Sequence, residues 1–271
     1  MSVQPIHGAT DAHAPRDIAR MVEHLGVAKA RTATLTVLAL SVLAGAFVAL
    51  GAIFFAVVMT GSELGFGVTR LLGGLSFSLG LILIVIGGAE LFTGNVLMAM
   101  AWASRLVSTR DVVRNWVLVY IGNALGSLAT VALVVWGGIA GMQDGAVGAT
   151  AVTIAATKAA LPAGVAFARG ILCNALVCLG VWLAMGGRSV SDKVVAIIFP
   201  ITAFVVLGFE HSIANWFFLP YGLALDTNGV VPLTGVIRNL AAVTAGNLLG
   251  GTLLVAGVYW VAYLRDERRA G

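Results

Sequence analysis

Gly88-Ala89-Glu90-Leu91-Phe92-Thr93-Gly94-Asn95 and Gly208-Phe209-Glu210-His211-Ser212-Ile213-Ala214-Asn215 share the pattern Gly-x-Glu-x-x-x-x-Asn. Each sits inside a long apolar stretch, 71–103 and 194–225, of which the glutamate is the only acidic residue near the middle. Outside these two stretches, windows of about 20 residues with no charge or, in the third of them, only Arg169, the length that crosses a bilayer as a helix, fall at 33–60, 115–138, 163–186 and 239–264. That predicts six transmembrane spans. The second and fifth are too long for simple crossings and carry their polar residues at membrane depth. Exposed backbone there is tolerated only where it is buried in protein or lines a cavity, so helices 2 and 5 are expected to be broken.

Composition agrees. Of 271 residues, 28 are charged, 59% are apolar and 34 are glycine, with a mean hydropathy of +1.00. A soluble domain carries about a quarter charged residues and roughly 7% glycine, so a water-facing surface is excluded. The net charge of +4 is dispersed through loops, unlike a nucleic-acid footprint. Cys173 and Cys178 lie in an apolar run without metal-ligand spacing and read as small buried residues.

Basic residues gather on one side: Arg16, Arg20, Lys29 and Arg31, then Arg105, Arg110 and Arg114, then Arg188 and Lys193, then Arg265, Arg268 and Arg269. The opposite side holds only Arg70, Lys158 and Arg238, with Arg169 inside the fourth span. The positive-inside rule then puts both termini in the cytoplasm of a bacterial-type inner membrane. Residues 1–32 form a cytoplasmic N-terminal segment, expected to be an amphipathic helix lying on the membrane. The channel domain runs over 33–264, and 265–271 is a cytoplasmic tail.

The halves are duplicated. Arg114-Asn115 through Trp136 aligns without a gap on Arg238-Asn239 through Trp260, with 11 of 23 positions identical, including Gly122-Asn123 and Gly246-Asn247. More weakly, Lys29, Ala46, Val48 and Leu50-Gly51 match Lys158, Ala175, Val177 and Leu179-Gly180. Three spans per copy, about 33–138 and 163–264, force the second copy upside down. Inverted repeats place a transport site near the midplane at broken helices. Gly45, Gly51, Gly122, Gly126, Gly246 and Gly250 are expected to permit close helix contact, and Trp136, Trp260 and Tyr263 to anchor span ends.

Glu90 and Glu210 admit two readings, substrate or proton ligands, or clamps accepting hydrogen bonds from backbone N–H groups freed at the breaks. His211 is the only histidine within a span; an imidazole at the midplane can donate a hydrogen bond or a proton near physiological pH. Ser76, Ser78 and Ser212 lack the nucleophile elbow or Ser/His/Asp set of a hydrolase. No catalytic, metal or cofactor site is expected, and no enzyme.

Together with Gly170-Ile171-Leu172-Cys173-Asn174-Ala175-Leu176-Val177-Cys178 and Val85-Ile86-Gly87, the two quoted stretches make the chain, from about residue 29 to 264, resemble the formate/nitrite transporter family. The resemblance implies a homopentamer of aquaporin-like protomers, each passing small monovalent anions of weak acids. It implies Thr93 opposite His211 at the pore centre, with Asn174 nearby. Leu81, Leu91 and Phe92 would form a cytoplasmic-side constriction with Phe77 close by, and Val177 and Phe204 an outer one. Lys29 and Lys158 would attract anions into the two vestibules, and Glu90, Glu210, Asn95 and Asn215 would support the breaks. A bare carboxylate on an anion's path repels it, which favours the clamp reading. Moving a bare anion into low dielectric costs on the order of 20 kcal/mol before relaxation, so apolar rings stop ions and pass the neutral acid. Proton-coupled, pH-dependent passage of formate or nitrite is therefore the expectation, with hydrosulfide, acetate or lactate as the alternative cargo. The loop at 221–234 reads as short.

Overall fold

A computed structural model describes residues 12–266. The first eleven residues of the N-terminal segment and the last five of the tail, with Arg268 and Arg269, lie outside the described residues. Among those described, the chain is all-helical. Five helices are long and apolar enough to cross a membrane: Thr34–Met59, Phe66–Gly87, Thr109–Trp136, Ala163–Gly186 and Leu233–Tyr263.

In chain order the helices are α1 (Pro15–Arg31), α2 (Thr34–Met59), α3 (Phe66–Phe77), α4 (Leu79–Gly87), α5 (Phe92–Asn95) and α6 (Ala99–Ala103). Then follow α7 (Thr109–Trp136), α8 (Ala146–Ala159), α9 (Ala163–Gly186), α10 (Val190–Val206), α11 (Ser212–Leu225), α12 (Leu233–Leu249) and α13 (Val258–Tyr263). Gly250–Gly257 joins the last two as a π-helical stretch. Helices α7 and α10 each start earlier than the apolar windows suggest, because a polar capping box precedes them. Ser108 caps Asp111 N–H and Ser189 caps Asp192 N–H, with the aspartates returning the bond.

The first long stretch is interrupted where Gly88 turns left-handed at φ +77° and the chain runs extended to Leu91 before α5. The second is interrupted where Gly208 turns left-handed at φ +69° between α10 and α11.

Two features differ from expectation. Helix α1 does not lie free on a bilayer: Ile18, Ala19 and Val22 pack with Leu97, Met100 and Trp182, burying its apolar face in the body of the protein. Between the third and fourth windows lies α8, a helix where the apolar windows assign no span. It is short, rich in alanine and threonine, and carries Lys158 in its last turn as α1 carries Lys29. Helix α11 also runs through Leu225, confining the following loop to 226–232. That loop is tied by Asp226, whose carboxylate accepts the N–H groups of Val231 at 2.7 Å and Asn228 at 3.1 Å. These bonds hold it below the usual carboxylate range.

Helix α2 lies against α7, and α9 against α12, with almost no space between backbones. A methyl group on Gly126 would strike the carbonyl of Val42, and one on Gly250 the carbonyl of Ile171. We expect Gly126→Val to force α7 off α2 and cost roughly 3 kcal/mol, the upper end for overpacking. A melting temperature in detergent micelles equal to that of the unaltered protein would refute this.

Candidate functional site

The two interruptions are held by asparagines from helices distant in sequence. Asn123 on α7 accepts Phe92 N–H at 2.8 Å and donates to the carbonyls of Ser41 at 2.7 Å and Glu90 at 2.8 Å. Asn247 on α12 accepts Ser212 N–H at 2.8 Å and donates to the carbonyls of Gly170 at 2.8 Å and Glu210 at 3.0 Å. One amide thus satisfies two backbone groups at each break, where lipid offers no partner, and ties the break to a carbonyl of α2 or α9.

The glutamates do something other than expected. Glu90 accepts Lys29 Nζ at 2.6 Å and Asn95 Nδ2 at 2.6 Å, and Asn95 in turn donates to Asn115 at 2.9 Å. Glu210 accepts Lys158 Nζ at 2.9 Å and Asn215 Nδ2 at 2.8 Å, and Asn215 donates to Asn239 at 2.7 Å. Their carboxylates do not clamp the freed backbone; that is the work of Asn123 and Asn247. Each carboxylate instead ties a lysine from α1 or α8 to the first turn after a break. Both lysines are therefore already paired, which lessens the attraction either can exert on an anion. A largely desolvated pair of this kind holds its geometry because breaking it strands a buried charge.

Two cavities approach the interruptions from opposite ends. One, of about 320 Å³, is bordered by Val22, Lys29, Leu81, Glu90, Leu91 and Gly94. The other, of about 750 Å³, is bordered by Phe77, Lys158, Phe204, Glu210, His211 and Phe218. Between them Thr93 and His211 meet, Thr93 Oγ1 lying 2.9 Å from His211 Nε2. Thr93 is fully buried, and His211, which borders the larger cavity, is 4% exposed.

His211 also caps α11: its Nδ1 accepts Ala214 N–H at 3.0 Å. An imidazole that accepts at Nδ1 carries its proton on Nε2, so Nε2–H donates towards Thr93. The ring stacks on Phe204, with centroids 5.9 Å apart and planes 19° from parallel, and Phe204 meets Phe77 edge-on at 5.6 Å.

The remaining expected residues divide. Leu81 and Leu91 border the smaller cavity. Phe77 borders the larger one with Phe204, not the smaller one with Leu81. Four residues apart, Phe77 at the end of α3 and Leu81 in α4 are separated by about 6 Å along the axis, enough to place them on different cavities. Phe92 borders neither cavity and packs edge-on against Tyr120 at 5.0 Å. The backbone at Leu91 is extended (φ −106°, ψ 126°), and neighbours on extended chain point to opposite sides. Leu91 therefore faces the cavity and Phe92 turns away from it.

Val177 is buried in the core and borders neither cavity. Asn174 donates to the carbonyl of Asn247 at 2.7 Å and keeps a buried Oδ1 without a partner. It makes no hydrogen bond to Thr93 or His211 among the described residues; the link from α9 to the centre is Cys178, whose thiol donates to the Thr93 carbonyl at 3.4 Å. Both cysteines are free and buried.

Sequence reasoning quoted Asn123, Asn247, Asn115 and Asn239 only as marks of duplication, and Cys178 as filler. The available signal was the coincidence of the repeated Arg-Asn and Gly-Asn pairs with the repeated Glu-x-x-x-x-Asn.

Similarity to known proteins agrees with this arrangement. The family model described as formate/nitrite transporter matches residues 16–261. The formate channel FocA of Escherichia coli (strain K12) is 36% identical, the match covering 93% of this chain and 95% of that one. A solved pentameric formate channel with formate bound superposes with a TM-score of 0.78 at 39% identity, covering 85% of this chain and 98% of its own. A solved ion channel of the same family superposes with a TM-score of 0.84 at 30% identity, covering 91% and 98%. The chain belongs to the formate/nitrite transporter family.

Proposed function

We propose that this protein passes formate, and nitrite by the same route, across the cytoplasmic membrane in a proton-coupled, pH-dependent manner, one pore per protomer of a homopentamer. In this reading α3–α6 and α10–α11 each complete one crossing, so that six spans form two inverted repeats (about 33–138 and 163–264) with the second and fifth broken. The terminal segments face the cytoplasm, the smaller cavity opens inward and the larger one outward. The contact between Thr93 and His211 carries the proposal: it is the polar point between two cavities that otherwise close on Leu81, Leu91, Phe77 and Phe204.

An anion arriving there leaves water for a mostly apolar surround, where the neutral form of a weak acid is favoured. A bare ion would face a Born cost on the order of 20 kcal/mol before relaxation. His211 Nε2–H offers a hydrogen bond to a carboxylate or nitrite oxygen in place of Thr93. A second proton on Nδ1 would break the cap on Ala214, so the proton that neutralises the substrate comes from water in the cavity, and the ring serves as donor.

The test is uptake of labelled formate and nitrite into proteoliposomes at several pH values, with acetate, lactate and hydrosulfide as competitors. Formate uptake that rises with an inward proton gradient is expected. Absence of transport for every small monovalent anion tested would overturn the proposal.

A further inference from the structure

The larger cavity carries more positive charge than its lysine–glutamate pair can balance. Three basic residues border it, Arg70, Lys158 and Arg169, against the single carboxylate of Glu210. Lys158 and Glu210 cancel at 2.9 Å. Arg70 donates through Nη2 to the Val205 carbonyl at 2.5 Å, and its guanidinium lies 5.9 Å from the ring centre of Phe55. Both partners are neutral, and its Nε is buried without one. Arg169 makes no side-chain hydrogen bond or ion pair among the described residues.

The two guanidiniums converge. A methyl group on Gly208 would sit 3.5 Å from Arg70 Nη2 and 4.0 Å from Arg169 Nη1. They meet over a turn that glycine leaves bare. Like charges this close repel unless an anion lies between them, and the repulsion grows as water is replaced by aromatic walls. A guanidinium presents a planar fork matched to a carboxylate or phosphate edge. One monovalent anion would leave half of this charge unbalanced. The cavity, at about 750 Å³ against 320 Å³ for its counterpart, is far larger than a formate ion needs and lies in the usual range for small-molecule sites.

We infer that Arg70 and Arg169 form a binding site for a doubly charged oxyanion, a short dicarboxylate or inorganic phosphate, held over Gly208 in the larger cavity. Desolvation cost rises with the square of the charge, so such an ion cannot follow a monovalent acid past Phe77 and Phe204. It occupies the cavity and obstructs formate entering from that side. This obstruction rests on the transport reading above; the binding does not.

The experiment is calorimetric titration of the full-length protein in detergent with succinate, with inorganic phosphate and with uncharged succinamide, for the unaltered chain and for Arg169→Gln. Arg169 is the residue to change because Arg70 also holds the end of α10. Binding of succinate or phosphate, none of succinamide, and an affinity about tenfold or more weaker in Arg169→Gln are expected, since loss of one charge-assisted fork commonly costs that much. Arg169→Lys, which keeps the charge and loses the fork, should fall between. Whichever dianion binds tighter identifies the source. No binding of either dianion, or equal binding by unaltered and Arg169→Gln proteins with the same melting temperature, would overturn the site. Formate uptake into proteoliposomes undiminished by the saturating dianion would overturn the obstruction alone. Intact dianion binding in a protein that moves no formate would refute the transport reading and leave the site standing.

Discussion

Replacing Asn123 with alanine should bring the protein close to unfolding. The substitution strands Phe92 N–H and the carbonyl of Glu90, two buried backbone groups at the break, and cuts the tie to the Ser41 carbonyl on α2. Each buried group left unsatisfied costs about 1–3 kcal/mol, so a combined loss of roughly 2–6 kcal/mol is a large share of the 5–15 kcal/mol by which a domain is ordinarily stable. The equivalent change at Asn247 should do the same to the second interruption. Thermal unfolding in micelles is the measurement. A melting temperature for the alanine variant within a few degrees of the original would mean that the break is held in some other way.

His211→Phe is the second large effect, expected on transport and not on folding. It removes the Nε2–H donor at Thr93 and the Nδ1 cap on Ala214, but keeps an aromatic ring against Phe204. Loss of one N-cap costs about 1 kcal/mol, which the fold can absorb. Loss of a hydrogen bond to a charged or charge-bearing substrate, about 1.5–3 kcal/mol, should lower formate uptake roughly 10–100-fold at every pH. Asn is a good cap, so His211→Asn should recover the melting temperature without recovering the uptake rate. If His211→Phe transports formate at the original rate, the ring has no part in the passage.

Much of this molecule can be read in its sequence because bilayer physics leaves few choices. Uncharged windows mark spans, and Gly88 and Gly208 mark the turns because each takes a left-handed φ. Glu90 and Glu210 were visible as costly residues, yet their partners were not. Lys29 is 61 residues from Glu90 and Asn123 is 33 residues away, and no periodicity relates them. Direction at single residues was equally out of reach. Leu91 and Phe92 are neighbours with similar chemistry, and only the extended backbone at Leu91 decides which faces the cavity. Phe77 borders the larger cavity and Leu81 the smaller one, a difference of depth that the angle around a helix axis does not record. Arg169, readable alone as a snorkelling or interface residue, gained meaning only when Arg70, remote in sequence, was found beside it.

The asparagine ties also set an order of assembly. A chain emerging from the ribosome delivers α2, then the first interruption, then α7, and Asn123 lies midway along that last helix. Until α7 enters beside α2, the amide of Phe92 and the carbonyl of Glu90 have no protein partner, and hydrocarbon cannot supply one. The interruption therefore has to wait, hydrated near the headgroups or still within the insertion machinery, for a helix not yet made. The second half repeats the delay, with Asn247 arriving after the interruption that contains Glu210 and His211. Residues at the centre of the finished molecule are among the last to settle, and slow or faulty insertion of α7 or α12 would leave a full-length, membrane-bound chain with its centre unformed.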